Sequence, residues 1–347
     1  MAEAQELTNS REAARELHFS SLVIDGLEAA PMTAEHFARL RAAGVAAVNF
    51  TSASIDHAFA PAVLDLMRLR RTIAEHDHEV LLVETVDDIE RARREGRIGI
   101  IMGLQNARPF MEDLGYVAAL YQLGVRIVQL TYNERNVLGD GCVELANGGL
   151  SRFGRRAVAE MNRLGMLVDL SHCGERTTLD AIEASSAPVA VTHANAAALT
   201  PSPRNKSDTV LAALRHNGGV IGAAFWAPMA FRDPAHRPEV SDFLDHVDYL
   251  VERAGIDHVA IGTDLGEGES RAHYEAMFLR GGGKYPEVTH MLGDWYDFDH
   301  RMVDGLESVV TFPKVTEGLV ARGYDAVAVR KILGENIVRV LNAAWRS

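Results

Sequence analysis

The chain has 347 residues, 47% of them hydrophobic, and a formal net charge of −13 at pH 7. The length suits one barrel of about 250 residues with insertions, and the apolar content is enough for a sizeable core. The acidic balance argues against nucleic acid and anionic membranes as partners, and the densest basic spot, Arg68-Leu69-Arg70-Arg71, reads as a solvated helix face.

The N-terminal stretch MAEAQELTNSREAARELHF is polar and helix-like, without the apolar centre of a secretory signal. No apolar run reaches the roughly 18 to 20 residues of a membrane span. Strand candidates then follow one another through the chain. They are LVID (22–25), VAAVN (45–49), IGIIMG (98–103), VRIVQLT (125–131), MLVDL (166–170), APVAVT (187–192), GVIGAA (219–224) and VAIGT (259–263), with VLLV (80–83) as an extra between the second and third. Helical segments such as DDIERARRE, RRAVAEMNRLG and VDYLVERAG lie between them, and a closing Gly is a common helix C-terminal signal. Strand–helix alternation through eight repeats predicts an α/β fold, a (β/α)8 TIM barrel. No GxGxxG follows the first strand, which argues against a dinucleotide-binding sheet. The domain reading is a single barrel, 1–347, with an N-terminal helical extension and an insertion at 266–312 over the barrel mouth. That insertion carries Tyr274, Phe278, Tyr285, Trp295, Tyr296 and Phe298, and Gly281-Gly282-Gly283 within it reads as a hinge. Cys142 and Cys173 form no disulfide framework, which points to a reduced, cytoplasmic setting.

Three strands end on residues that carry chemistry: His172, His193 and Asp264. Strand ends meet at one face of a parallel barrel. Two imidazoles and a carboxylate there are what a hydrolytic metal site needs, nitrogen ligands with a group to ligate metal or move a proton.

The segments LVDLSH (167–172), VTHAN (191–195), PRNKSD (203–208), GIDHVAIGTD (255–264) and LGENIVRVL (333–341) resemble the membrane (renal) dipeptidase family, in order and spacing. The resemblance implies a metal-dependent, amidohydrolase-like barrel, usually a homodimer, with a binuclear zinc site that hydrolyses dipeptides. By position it makes His172 and His193 ligands of one zinc and Asp264 the carboxylate that handles protons. It makes Arg204, with Asn205 beside it, the substrate-binding pair; a guanidinium meets a carboxylate with two parallel hydrogen bonds. Arg204 sits in a polar loop, so its loss is expected to weaken ligand binding and leave stability nearly unchanged.

The second metal subsite departs from the family. Leu27 and Ala29 stand where the family has a His-x-Asp pair, Gln105 replaces the bridging glutamate, and Tyr132 replaces a further histidine. Asp25, Glu28, Cys142 and Cys173 are the nearby candidates for substitute ligands. The expectation is one zinc per chain or none, held by His172 and His193 with Gln105 as a weak third. Asp264 and Tyr132 would be catalytic, acting on a small carboxylate-bearing substrate. Two alternatives stay open: a metal-independent lyase or isomerase using Asp264 and Tyr132, and an inactive small-molecule-binding homologue.

Overall fold

In the computed structural model, residues 2–280 and 282–345 are described, with side chains from residue 11 onward. Nine parallel strands lie among them: β1 (Val23–Glu28), β2 (Val45–Thr51), β3 (Val80–Val83), β4 (Ile98–Leu104), β5 (Ile127–Gln129), β6 (Leu167–Asp169), β7 (Ala190–Val191), β8 (Val220–Ala223) and β9 (Val259–Ile261). Eight of them pair in the order β1-β2-β4-β5-β6-β7-β8-β9. The ring closes just past β9, where Leu265 bridges Glu28 in parallel and Asp264 N donates to Leu27 O at 3.2 Å. This is the expected barrel. β3 is the extra strand, and it pairs with the first half of β4 on the edge that β5 takes over at Gly103 and Leu104.

Alternate strand residues face opposite sides, and both sides are apolar. Val45, Val48, Ile100, Val128, Val168, Val191, Ile221 and Val259 pack with helix residues such as Phe37, Leu66, Leu120 and Val158. Ile24, Ala47, Ile101, Ile127, Leu167, Ala190, Val220 and Ala260 form a second cluster with Ile337, Val340 and Leu341 of the last helix, Asn336–Ala344. Burial on both faces is why these strands read as continuous apolar runs rather than alternating ones. Asn336 Nδ2 fixes that helix by donating to Ile256 O at 2.7 Å and Val259 O at 2.8 Å.

One close approach shapes the top of the barrel. A Cβ on Gly262 would lie 1.8 Å from Thr192 O, and one on Gly222 2.1 Å from the same oxygen. Only glycine lets the chain after β7 reach so close to β8 and β9. Outside the ring, Arg152–Leu164 ends on Gly165 in the left-handed region (φ 85°), as its sequence predicts.

The helix Ala2–Ser20 docks through buried His18, which bonds Ala43 O at 2.8 Å and Thr316 Oγ1 at 2.7 Å. Beyond β9, Arg271–Phe278 and Pro286–Thr289 are short helices in an irregular segment. Tyr274, Leu292 and Tyr296 of that segment pack with Phe231 as a small separate apolar cluster. Gly282 N and Gly283 N both donate to Leu279 O, in a turn; Gly281 lies outside the described residues.

Candidate functional site

A cavity of about 520 Å³ opens at the C-terminal ends of the strands, lined by Gln105, Tyr132, His172, Arg204 and Asp264. Its outer wall comes from the segment after β9, including Glu269, His273, Tyr274, Met277, Phe278 and Arg301. A second chamber of about 510 Å³ shares Ile55, Asp56 and Tyr132 with the first.

His172 and His193 meet: their Nε2 atoms are 3.0 Å apart. Each ring is held from behind. His172 Nδ1 is 2.7 Å from Asn133 Oδ1, and His193 Nδ1 is 2.9 Å from Thr192 Oγ1. Thr192 Oγ1 in turn donates to Asp169 Oδ2 at 2.7 Å. Asp169 Oδ1 accepts from Ser171 N, Ser171 Oγ and Thr192 N, so one carboxylate at the end of β6 ties both histidine-bearing turns together. Burial, with the nearby Arg204 guanidinium second, holds both imidazoles well below the usual histidine range, so they are neutral bases at pH 7. Tyr132 stacks on His172 with ring centroids 4.0 Å apart. Burial, then the Asp264 charge, raises its phenol well above its ordinary value, so the hydroxyl keeps its proton.

Asp264 stands alone among the described residues. It has φ +56°, a left-handed conformation that costs most residues energy, and its carboxylate has no hydrogen bond or ion pair from the protein. Burial pushes its pKa up to about 6, against the pull of Arg204. Glu269, which sequence reasoning missed, faces the same cavity, and burial pushes it up to about 7.

Two expectations need correction. Arg204, expected to be dispensable for stability, is 1% exposed, and its Nη1 and Nη2 donate to Ser171 O and His193 O. The pairing of Ala196 with Lys206 closes the loop and turns Arg204 inward. It lines the cavity and also braces both histidine turns, so its removal is not neutral for stability. Asn205 is turned away from the cavity. Its Nδ2 donates to Thr200 O and Met229 O, and its Oδ1 accepts from Asn195 N, all at 2.9 Å. Its amide braces the loop.

Gln105 lines the cavity, is 8% exposed, and donates from Nε2 to Thr51 Oγ1 at 2.7 Å. Of the candidate substitute ligands, Asp25, Cys142 and Cys173 are hydrogen-bonded elsewhere, and Glu28 keeps one buried oxygen, Oε2, without a hydrogen bond. Asp25 ties β1 to β9 by accepting from Thr263 N at 2.8 Å and Thr263 Oγ1 at 2.6 Å. Glu28 Oε1 accepts from Ala29 N and Ala30 N, and its Oε2 turns to His36 Nε2, 3.4 Å away. Cys142 donates to Asn133 Oδ1 at 3.2 Å, Cys173 accepts from Thr131 Oγ1 at 3.3 Å, and burial raises both thiols, so neither is a thiolate.

The sequence model of the membrane dipeptidases, peptidase family M19, matches residues 11–292 and 291–346. The chain belongs to the membrane dipeptidase family. Among relatives, dipeptidase tcpJ of Claviceps purpurea is 32% identical over 79% of this chain and 57% of its own length. An uncharacterized dipeptidase of Schizosaccharomyces pombe is 35% identical over 68% of this chain and 57% of its own length. The chain therefore spans less than two thirds of these curated relatives. A solved amidohydrolase from Pseudomonas aeruginosa superposes with a TM-score of 0.85 at 36% identity, covering 96% of this chain and 99% of its own. In this chain, a pair of ions held in the family manner does not fit the residues present. Leu27 is 2% exposed, Ala29 faces the cavity with no ligand atom, and no group of three His, Cys, Asp or Glu among the described residues is placed to hold a metal. The histidine pair offers two converging nitrogen donors, His172 Nε2 and His193 Nε2, one short of the three protein ligands that a hydrolytic zinc site uses.

Proposed function

We propose that this protein is a hydrolase that cleaves the peptide or amide bond of a small carboxylate-bearing substrate, using one zinc-like ion per chain. The observation that carries the reading is the convergent Nε2 pair of His172 and His193, with His172 lining the same cavity as the unpartnered carboxylate of Asp264. The bound ion would lower the pKa of a water and polarise the scissile carbonyl. Asp264, poised near pH 6, takes a proton from the attacking water and returns it to the leaving nitrogen. Tyr132, protonated at neutral pH, donates to the oxygen on which charge develops. Arg204 uses two guanidinium hydrogens on backbone carbonyls and turns the others to a substrate carboxylate. The aromatic wall after β9 excludes water. A metal-independent lyase or isomerase has one observation in its favour, the protonated Tyr132 facing the charge of Asp264.

No helix among the described residues is long and apolar enough to cross a membrane. We place the enzyme in the cytoplasm, where its free thiols stay reduced, and as a homodimer, which light scattering after gel filtration tests. The test of function is a panel of L,L- and L,D-dipeptides beside the same peptides amidated at the C-terminus, with and without added zinc. Zinc-dependent cleavage confined to peptides with a free carboxylate is expected, at rates below the ~1 to 10³ per second of ordinary enzymes. Elimination or isomerisation that survives chelation would establish the metal-independent reading.

A further inference from the structure

The second chamber, about 510 Å³, has no part in the reaction described above, yet Ile55, Asp56 and Tyr132 line both it and the catalytic cavity. Its walls are the loops after β2, β4 and β5, with Tyr285 from the segment after β9. By itself it falls within the size range of small-molecule pockets.

Its polar groups are spent on one another. Asn136 Nδ2 donates to Asn106 Oδ1 at 2.9 Å and to Leu130 O at 2.7 Å, and its Oδ1 accepts from Leu138 N at 2.8 Å. Asn106 Nδ2 donates to Ile55 O at 2.9 Å. Asp56 lies 3.8 Å from Arg108 and 3.8 Å from Lys284, Glu134 lies 3.1 Å from Lys284, and Arg135 forks onto Asp140. A charged ligand group would have to break one of these pairs.

What remains free is apolar surface. Met111 is 45% exposed and Val137 37% exposed, and they converge here from the loops after β4 and β5, beside Ile55 and Ala58. Large apolar side chains left in water singly need no explanation, but gathered in one concavity they mark a binding surface. Met111 holds its place at φ +48° and ψ −122°, a backbone that suits the first central residue of a type II′ turn and favours glycine. A flexible thioether is thus presented to the chamber at a cost in backbone energy.

The direction of a bound substrate follows from the shared wall. Arg204 lines the catalytic cavity and not the second chamber, and Tyr132 lies between the two. In the hydrolase reading above, on which the orientation rests, the substrate carboxylate is at Arg204 and the scissile carbonyl at Tyr132. The part that continues past Tyr132 is then the acyl side. We propose that the second chamber is the subsite for a bulky uncharged apolar group on the acyl side of the scissile bond, so that the preferred substrate carries an aromatic or branched aliphatic side chain there.

The test uses the full-length protein, Ala58→Trp and Met111→Gly. Ala58 precedes the helix Phe59–Glu75 and makes no side-chain cap bond, so an indole there fills the chamber without removing a contact. Met111→Gly removes the thioether and suits the backbone, so its melting temperature is expected to be no lower than that of wild type. Turnover is compared on Ala-Gly, Leu-Gly and Phe-Gly. Binding, which needs no turnover, is read by calorimetry with N-acetylglycine and N-(3-phenylpropanoyl)glycine. Wild type is expected to favour Phe-Gly over Ala-Gly in kcat/KM, and the phenylpropanoyl ligand over the acetyl one in affinity, each by at least ~10-fold. Both variants are expected to reduce that preference, and Met111→Gly decides if Ala58→Trp does not fold. Equal affinity for the two ligands in wild type, or an undiminished preference in the folded variants, overturns the proposal. No turnover of any peptide with the affinity preference intact would sink the hydrolase reading and leave the chamber's assignment standing. A dimeric wild type beside a monomeric Ala58→Trp in light scattering would assign the chamber to a subunit contact and overturn it.

Discussion

Asp264 is where conformation and ionisation both work against the fold. Its φ of +56° and its unpaired, raised carboxylate both cost stability. Its pKa is raised from 3.8 to about 6, so its contribution to stability is fully present below pH 3.8 and lost as pH rises through 6. Asp264→Asn removes that loss and suits the left-handed backbone. The variant is expected to melt with wild type at pH 4 and to be more stable by about 1 kcal/mol at pH 8, while turnover falls at least ~100-fold. Thermal melts across pH beside initial rates check both; equal turnover would leave Asp264 without a catalytic role. Arg204→Met is expected to cost about 2 kcal/mol or more, because it leaves two buried carbonyls unpaired, and to weaken carboxylate binding as well. Denaturant unfolding and calorimetric titration separate the two losses. His172, His193 and Asp264 were legible because each ends an apolar run. Glu269 was not, because nothing in GEGES marks which carboxylate turns inward.

The segment after β9 acts as an element in its own right. It is tied to the barrel by a buried chain in which Trp226 Nε1 donates to Tyr274 OH at 2.9 Å, and Tyr274 OH bonds Tyr296 OH at 2.5 Å. Lys284 adds a surface tie to Glu134 at 3.1 Å, which is half-exposed and worth little. Tyr274→Phe keeps the ring and breaks the chain, leaving the Trp226 donor unpaired. A stability loss of about 1 to 2 kcal/mol is expected, with faster proteolysis within 266–312 and a raised KM. Unchanged cleavage of that segment would show that its apolar packing alone holds it. The aromatic content announced such an element, but its contact with the cavity depends on Trp226, in the turn after β8, and no local pattern links the two.

For the whole molecule, the defining prediction is metal content. With Leu27 and Ala29 at the second subsite and Gln105 in place of a carboxylate, at most one tightly held zinc-like ion per chain is expected from elemental analysis after gel filtration. Two retained equivalents would mean that ligands outside the histidine pair had been missed. The sequence by itself determined the barrel, because eight doubly buried strands must be apolar throughout and the helices between them must bury one face. It also determined which strand ends carry His and Asp, since that is a matter of residue type. Tertiary structure alone decided that Asp25 and Glu28 are engaged within the fold, that Arg204 is buried and Asn205 turned away, and that Asn133, Thr192 and Asp169 hold the imidazoles. Those outcomes depend on ring closure. A donor at one strand end finds its acceptor on a strand far away in sequence, and only the closed barrel, pinched by glycine around Thr192 O, brings the two within a hydrogen bond.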